Sequence, residues 1–250
     1  TTAGSPGFNQ MVSKCFPPAF IFWPEIAFFV LEKLKIMKLS EGLPVNSSEV
    51  KNILFDWGGV ITDLHVDAVI RAFDRLGHNR FAEAFGQDAE TNGFLQFETG
   101  RLTDREFLQF LHRHLPAGVT DRQILDAWNT ILGDLPAERW HILSEVRKHY
   151  HTFLLSNTNS LHVAYYAGKI LDQYGHNGFG HLFEKVYYSH LLGMRKPDRE
   201  IYEFVLRDSR LEPGETLFID DNSENTDAAR AMGIQTCLLT PPLTLKDIFC

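Results

Sequence analysis

The fold of this chain is predicted most directly by residues 52–61, NILFDWGGVI. Residues 52–55 have the pattern of a short buried β-strand, and the carboxylate of Asp56 follows it. Open α/β sheets carry their functional side chains at the carboxyl edge of the strands, so Asp56 is a candidate site residue. Gly58 and Gly59 follow at once, and two glycines allow the backbone to come close to a bound ion or anion.

Residues 66–150 change to helical periodicity with little strand signal. Thr103 and Glu106 have the spacing of a capping box, which predicts that a helix begins there. Pro136 predicts the first turn of a later helix that runs to about Tyr150. We therefore expect a helical insert after the first strand.

Short apolar runs return after this insert and alternate with helical segments. The predicted strands are 152–156, 185–189, 216–220 and 235–239, and the predicted helices between them are 161–172, 197–208 and 223–232. Strands that alternate with helices predict a parallel sheet covered on both faces. The expected fold class is α/β, with a Rossmann-like parallel sheet and an inserted helical cap.

The composition narrows the class of protein. The chain has 250 residues, is 44% hydrophobic and carries a net charge of -8, which argues against nucleic acid or an anionic membrane as the main partner. The three cysteines have no motif spacing, which excludes a disulfide framework and a zinc site and fits a cytoplasmic protein. The apolar run 19–31 is interrupted by Pro24 and Glu25 and is too short to span a membrane.

Polar side chains follow the predicted strands at four places along the chain. These are Asp56, Ser156 with Asn157, Lys196, and Asp220 with Asp221. Because parallel strands end at one edge of the sheet, we expect these side chains to converge. Three carboxylates suit Mg²⁺, which prefers oxygen ligands. Ser156, the amides after it and Lys196 suit phosphoryl oxygens, which leaves Asp56 to attack phosphorus.

These motifs resemble the haloacid dehalogenase superfamily. FDWGGVITD, LLSNTN, LGMRKPDREIY and LFIDDNSENTDAARAMG carry the resemblance, which covers about residues 51–240. The motifs SNTNSLH, GMRKP and FIDDN are most similar to the bacterial group that includes an α-glucose-1-phosphate phosphatase. The resemblance implies a phosphatase that uses Mg²⁺ and acts on small phosphomonoesters, with sugar phosphates favoured.

The resemblance also implies a role for each matching residue. Asp56 would be the nucleophile and a metal ligand, and Ser156, Asn157 and Lys196 would bind the phosphate. Asp221, with Asp220 directly or through water, and the backbone carbonyl of Gly58 would complete the metal site. The implied domains are a core of residues 51–65 and 151–250 and a cap of residues 66–150. Residues 1–50 would be an N-terminal extension, with the natural domain expected to begin near Met37.

Gly58 departs from the superfamily pattern, because phosphatases of this kind usually have a second aspartate there. That aspartate protonates the leaving oxygen, and such acid–base help is typically worth about 10²–10⁴-fold in rate. Asp63, His65 or a cap residue could supply the proton, or an anomeric phosphate could leave without one. In the cap, Glu98 or Arg101 could contact the substrate, and a solvated turn is the competing interpretation.

Two other functions stay open from the sequence. Dehalogenases of 2-haloacids also lack the second aspartate, but they need no cation, which leaves the Asp220-Asp221 pair unexplained. A binding protein that has lost catalysis would be expected to lose the nucleophile, yet Asp56 is intact. The sequence does not indicate an oligomeric state or the identity of the phosphate ester.

Overall fold

The computed structural model describes residues 38–40, 43, 45–85 and 93–249. Within these residues five strands form one parallel sheet in the order β3-β2-β1-β4-β5. The strands are β1 (Asn52–Phe55), β2 (His151–Ser156), β3 (Lys185–Tyr188), β4 (Thr216–Asp220) and β5 (Gln235–Leu238). The predicted α/β class with a parallel Rossmann-like sheet is confirmed.

The central position of β1 explains why it is apolar along its length. It pairs with β2 on one side and β4 on the other, so that Phe55 lies opposite Leu154 and Ile219. Successive side chains of a strand point to opposite faces of the sheet. Ile53 and Phe55 accordingly join one buried cluster and Leu54 joins the other.

Helices cover the sheet and also form a separate lobe. They are α1 (Val66–Arg75), α2 (Phe81–Phe85), α3 (Gly93–Glu98), α4 (Asp104–His112), α5 (Asp121–Trp128), α6 (Ala137–Val146), α7 (Ser160–Tyr174), α8 (Ser189–Leu192), α9 (Arg199–Ser209), α10 (Ser223–Arg230) and α11 (Leu245–Ile248). The capping box of Thr103 and Glu106 is present at the start of α4. Helix α6 begins after Pro136, as expected, but it ends at Val146, before the predicted Tyr150.

The lobe has a hydrophobic core of its own. Buried side chains from Val69 to Ile131 form one cluster, rich in phenylalanine. By contrast, Ile142 and Val146 of α6 are buried in the main core beside the sheet. We therefore propose that the cap ends near Ile131, earlier than the boundary at residue 150 that helical periodicity suggested, because periodicity does not show which core a helix joins.

Several residues of the predicted N-terminal extension pack on the core. Leu39 is buried and pairs with Phe249, and Val50 is buried in the main cluster. The backbone amide of Asn46 donates to the side chain of Gln235. The apolar run 19–31 and Met37 lie outside the described residues. In the ranges that are described, the helices are too short or too polar to cross a membrane.

Candidate active site

Lys196 lies between two carboxylates at the carboxyl edge of the sheet. Its Nζ is 2.8 Å from Asp56 Oδ1 and 2.6 Å from Asp220 Oδ2. Lys196 is 1% exposed and Asp220 is fully buried, so both ion pairs are shielded from water. Lys196 lies in the turn between α8 and α9. The sequence had suggested instead that it follows a strand directly. The predicted convergence of Asp56, Lys196 and Asp220 is nevertheless observed.

The hydrogen bonds of Asp220 hold this arrangement in place. Asp220 Oδ1 accepts from the backbone amide of Asn222 at 2.8 Å, and Asn225 Nδ2 donates to both carboxylate oxygens at 3.1 Å. The hydroxyl of Tyr202 donates to the carbonyl of Asn225 at 2.9 Å. With Lys196 as well, both oxygens of Asp220 have partners within the protein. Asp220 is thus built to orient Lys196.

A carboxylate cluster suited to a cation lies at the same place. One oxygen from each of Asp56, Asp220 and Asp221 lies within 4.8 Å of the others. Burial raises the pKa of Asp56 to about 7, against the opposing charge of Lys196 and with the help of the charge on Asp220. Burial and then the charge of Asp220 also raise the pKa of Asp221. Three acids facing one ammonium leave an excess of negative charge, which a hard divalent cation would offset.

The loop that follows β1 needs a glycine at position 59, where it packs against Asp221. Its φ is +76°, in the left-handed region that favours glycine, and a Cβ there would lie 1.9 Å from Asp221 Oδ2. The backbone of the Asp56 loop therefore packs directly on the carboxylate. This contact accounts for one of the two glycines that follow Asp56.

Gly58 is explained by a different neighbour. A Cβ on Gly58 would lie 2.7 Å from Cδ1 of Leu64, so the leucine side chain occupies the space where a longer residue would extend. Leu64 is held by a backbone bridge to Leu132. In this structure a hydrocarbon side chain thus lies where the superfamily pattern would have an acid.

Ser156 and Asn157 follow β2 and line the same cavity. The hydroxyl of Ser156 makes one long contact of 3.5 Å, to the carbonyl of Asn157. Asn157 Nδ2 donates to the carbonyl of Lys196 at 2.8 Å, and the amide of Lys196 donates to Asn157 Oδ1 at 2.9 Å. The Asn157 side chain therefore fixes the backbone of Lys196, whereas Ser156 lines the cavity.

Trp128, at the end of α5, joins the lobe to the core through His162. The two rings stack at 4.7 Å between centroids, and the Trp128 carbonyl lies 3.4 Å from His162 Nε2. The other ring nitrogen lies 3.1 Å from Nδ2 of Asn159. An amide donor at Nδ1 and a carbonyl acceptor at Nε2 require the neutral ring with its proton on Nε2. Burial lowers the pKa of His162 to about 3.

The other predicted proton donors and cap contacts are placed as follows. Asp63 forms an ion pair with Arg139 at 2.7 Å, and neither Asp63 nor His65 lines the cavity. Glu98 lines the cavity and lies 3.5 Å from Arg195, whereas Arg101 is exposed and is not part of the lining. Of these four residues, Glu98 alone reaches the cavity.

Two residues of the site, Asn225 and Leu64, were not predicted from the sequence. Asn225 was detectable in principle, because an amide on the first turns of a helix after Asp220 can reach back to the strand end. Leu64 carries no chemical signal, and its place over Gly58 depends on the bridge to Leu132. Long-range pairing of this kind is not visible in local sequence.

A family model described as "haloacid dehalogenase-like hydrolase" matches residues 50–233. The match spans most of the chain and all the residues of the site. The chain belongs to the haloacid dehalogenase-like hydrolases. As a member of this family it is a hydrolase, and the resemblance drawn from its motifs is confirmed at family level.

Relatives of this haloacid dehalogenase-like hydrolase include two phosphatases. A D-ribitol-5-phosphate phosphatase of Bacteroides thetaiotaomicron is 32% identical over 75% of this chain and 90% of that protein. A sesquiterpene phosphatase of Aspergillus oryzae is 47% identical over 25% of this chain and 32% of that protein. A solved family enzyme of Bacteroides thetaiotaomicron, in complex with magnesium and inorganic phosphate, has a TM-score of 0.70 and 34% identity over 77% of this chain and 96% of that one.

Proposed function

We propose that this chain is a Mg²⁺-dependent phosphatase that hydrolyses small phosphomonoesters through an aspartyl-phosphate on Asp56. The observation that carries the proposal is the cluster of Asp56, Lys196, Asp220 and Asp221 at the carboxyl edge of the sheet. The solved family enzyme in complex with magnesium and phosphate supports it, as do the two relatives named as phosphatases.

The chemistry proceeds in two displacements at phosphorus. A carboxylate oxygen of Asp56 attacks, the bond from phosphorus to the ester oxygen breaks, and the alcohol leaves with the electron pair and takes a proton from water. A water oxygen then attacks the aspartyl-phosphate, and the bond between phosphorus and Asp56 breaks. This step restores the Asp56 carboxylate, releases inorganic phosphate and passes a proton to solvent.

The residues around Asp56 bind and orient the phosphoryl group. Lys196 places its charge 2.8 Å from the attacking carboxylate, where it also attracts phosphoryl oxygens. The Ser156 hydroxyl is a hydrogen-bond donor in the same cavity. When bound, Mg²⁺ would supply positive charge that offsets the developing negative charge of the phosphoryl group. Asp56, Asp221 and the carbonyl of Gly58 would hold it, with Asp220 supporting the site through Lys196.

We also propose that the lobe between Val66 and Ile131 acts as the cap over this site. Its own hydrophobic cluster distinguishes it from the sheet core. It contributes Glu98 and Trp128 to the lining of the cavity. Substrate selection would therefore depend on residues of the lobe as well as on the core.

The partner of this enzyme would be a small phosphorylated molecule. The cavity volume of about 590 Å³ is in the range usual for small-ligand sites. The two phosphatase relatives differ in the organic part that their names indicate, a sugar alcohol in one and a sesquiterpene in the other. Sugar phosphates, which the motifs favoured, and phosphates of apolar alcohols therefore both belong in the substrate panel.

Phosphate release from such a panel tests the proposal. We expect the full chain with Mg²⁺ to release phosphate, EDTA to abolish the release and added Mg²⁺ to restore it. Asp56→Asn should abolish release while keeping its circular dichroism spectrum. Halide release from 2-haloacids without Mg²⁺ would indicate a dehalogenase instead. Binding of phosphate esters without turnover of any panel member would indicate a binding protein.

A further inference from the structure

The cavity beyond the carboxylate cluster has an apolar side. We define the apolar wall as Leu64, Val66, Phe85, Ile131 and Leu132, all of which line the cavity. Leu64 is 42% exposed and Val66 is 43% exposed, although both are large hydrophobic side chains. Exposed apolar side chains that cluster inside a concave site are typical of ligand contacts.

The wall begins beside the nucleophile. Leu64 lies against Gly58, two residues after Asp56, where an added Cβ would be 2.7 Å from the leucine Cδ1. The backbone fixes this position, because Leu64 bridges Leu132 and the amide of His65 donates to the carbonyl of Ile131 at 2.8 Å. The alcohol of a phosphate ester bound at Asp56 would therefore lie next to hydrocarbon side chains.

Three of the polar side chains that line the cavity, those of Asn157, Asn159 and His162, are engaged within the protein. Asn159 and His162 bond to each other and to Trp128. Both polar atoms of the Asn157 side chain bond to the Lys196 backbone. A substrate hydroxyl placed against the wall would lose water without gaining a partner, which is unfavourable.

We infer that the preferred substrates are phosphomonoesters whose alcohol presents a hydrocarbon body to the apolar wall, in preference to polyhydroxylated alcohols. This inference rests on the proposed phosphatase function and names the substrate class for the same site. Leu64 is then a specificity-determining residue, and it contacts the first carbons of the leaving alcohol.

A matched series of substrates tests the inference. We would measure kcat/KM with Mg²⁺ for primary alkyl phosphates from ethyl to hexyl and for a hexitol phosphate. Because each buried methylene contributes about a 4-fold gain, kcat/KM should rise by about that factor per carbon, and hexyl phosphate should exceed the hexitol ester. A flat alkyl series, or a hexitol phosphate hydrolysed faster than hexyl phosphate, would overturn the inference.

A pair of variants tests whether the gain in kcat/KM per methylene depends on the apolar wall. Leu64→Ser should reduce the gain per methylene, whereas Leu171→Ser should leave it unchanged, because Leu171 is 52% exposed on α7 and does not line the cavity. Equal slopes in the two variants would contradict a role for Leu64.

Binding of phosphonates tests the apolar wall separately from phosphatase activity. If none of the esters releases phosphate, calorimetry with Mg²⁺ and the non-hydrolysable methylphosphonate and hexylphosphonate still tests the wall. Tighter binding of hexylphosphonate would support an apolar alcohol site in a protein that does not turn over. Equal affinity for the two phosphonates would reject the inference.

Discussion

At the scale of single residues, Gly59 leaves less room for an added side chain than Gly58 does, because it packs against Asp221. The sequence showed two glycines after Asp56, but it could not show that Gly59 packs against Asp221 and Gly58 against Leu64. A Cβ added to Gly59 would lie 1.9 Å from a carboxylate oxygen, and one added to Gly58 would lie 2.7 Å from a leucine methyl group. The first contact bears on the proposed catalysis, because Asp221 belongs to the carboxylate cluster.

Gly59→Ala should therefore impair both folding and turnover. The left-handed backbone costs an alanine about 1–2 kcal/mol, and the methyl group must displace Asp221 or the loop. A displacement of this kind typically lowers kcat by about 100-fold. The control is Gly168→Ala on α7, where a Cβ meets no atom within 4 Å, and this variant should gain up to about 1 kcal/mol of stability. Unchanged kcat in Gly59→Ala would contradict the placement of Asp221.

Lys196→Met should lower the free energy of unfolding by about 3–5 kcal/mol, because it leaves buried carboxylates without their partner. It should also abolish phosphate release. Lys185→Met is the control: its ion pair with Asp208 is exposed, so its removal should change stability much less. Urea unfolding of both variants without Mg²⁺ measures the difference, and equal losses would show that Lys196 has no special structural role.

At the scale of elements, the strands were largely predictable and the packing of the helices was not. β4 occupies the predicted residues Thr216–Asp220, because an apolar run bounded by polar residues defines a buried strand. The capping box of Thr103 and Glu106 likewise located the start of α4. Helix α6 was predicted as part of the cap, yet it packs in the main core. Amphipathic pattern indicates that a helix has a buried side but not which core receives it.

The site residues at strand ends were predictable from the sequence, whereas contacts between distant residues were not. The strand-end residues Asp56, Ser156 and Asp220 could be placed together, because parallel strands share one edge. The role of the Asn157 side chain in fixing Lys196 could not be predicted, since it depends on a contact between residues 39 positions apart.

The contact between α5 and α7 should make the protein sensitive to acid. His162 is neutral in the folded state, with its pKa lowered by burial from 6.5 to about 3. Between these pH values the unfolded chain binds the extra proton, so stability falls as pH decreases below 6.5. From pH 7.5 to pH 5 this group alone should remove about 2 kcal/mol.

Urea unfolding at the two pH values, for the wild type and for His162→Gln, measures this contribution. The variant should lose about 2 kcal/mol less than the wild type on acidification. His141→Gln, at an exposed position on α6, serves as the control. A variant that loses as much stability as the wild type would show that His162 is not held neutral.

At the scale of the whole molecule, cation binding and folding should be coupled. The carboxylates of the cluster repel one another in the folded state, and a cation bound there stabilises the folded state but not the unfolded state. At a Mg²⁺ concentration of about 100 Kd the gain is about 2.7 kcal/mol, which corresponds to about 5–10 °C in Tm for a protein of this size. Asp221→Asn should lose most of the shift, whereas Asp172→Asn on α7 should keep it. No Mg²⁺-dependent shift in the wild type would reject the metal site.

The proposed mechanism requires that Asp56 carry the phosphoryl group during turnover. The most direct measurement is acid quenching of the full chain with Mg²⁺ and a hydrolysed substrate, followed by mass mapping of the peptides. We expect one added phosphoryl group on the peptide that contains Asp56, and neither the adduct nor turnover in Asp56→Asn. A phosphoryl group on another residue, or undiminished phosphate release by Asp56→Asn, would contradict it.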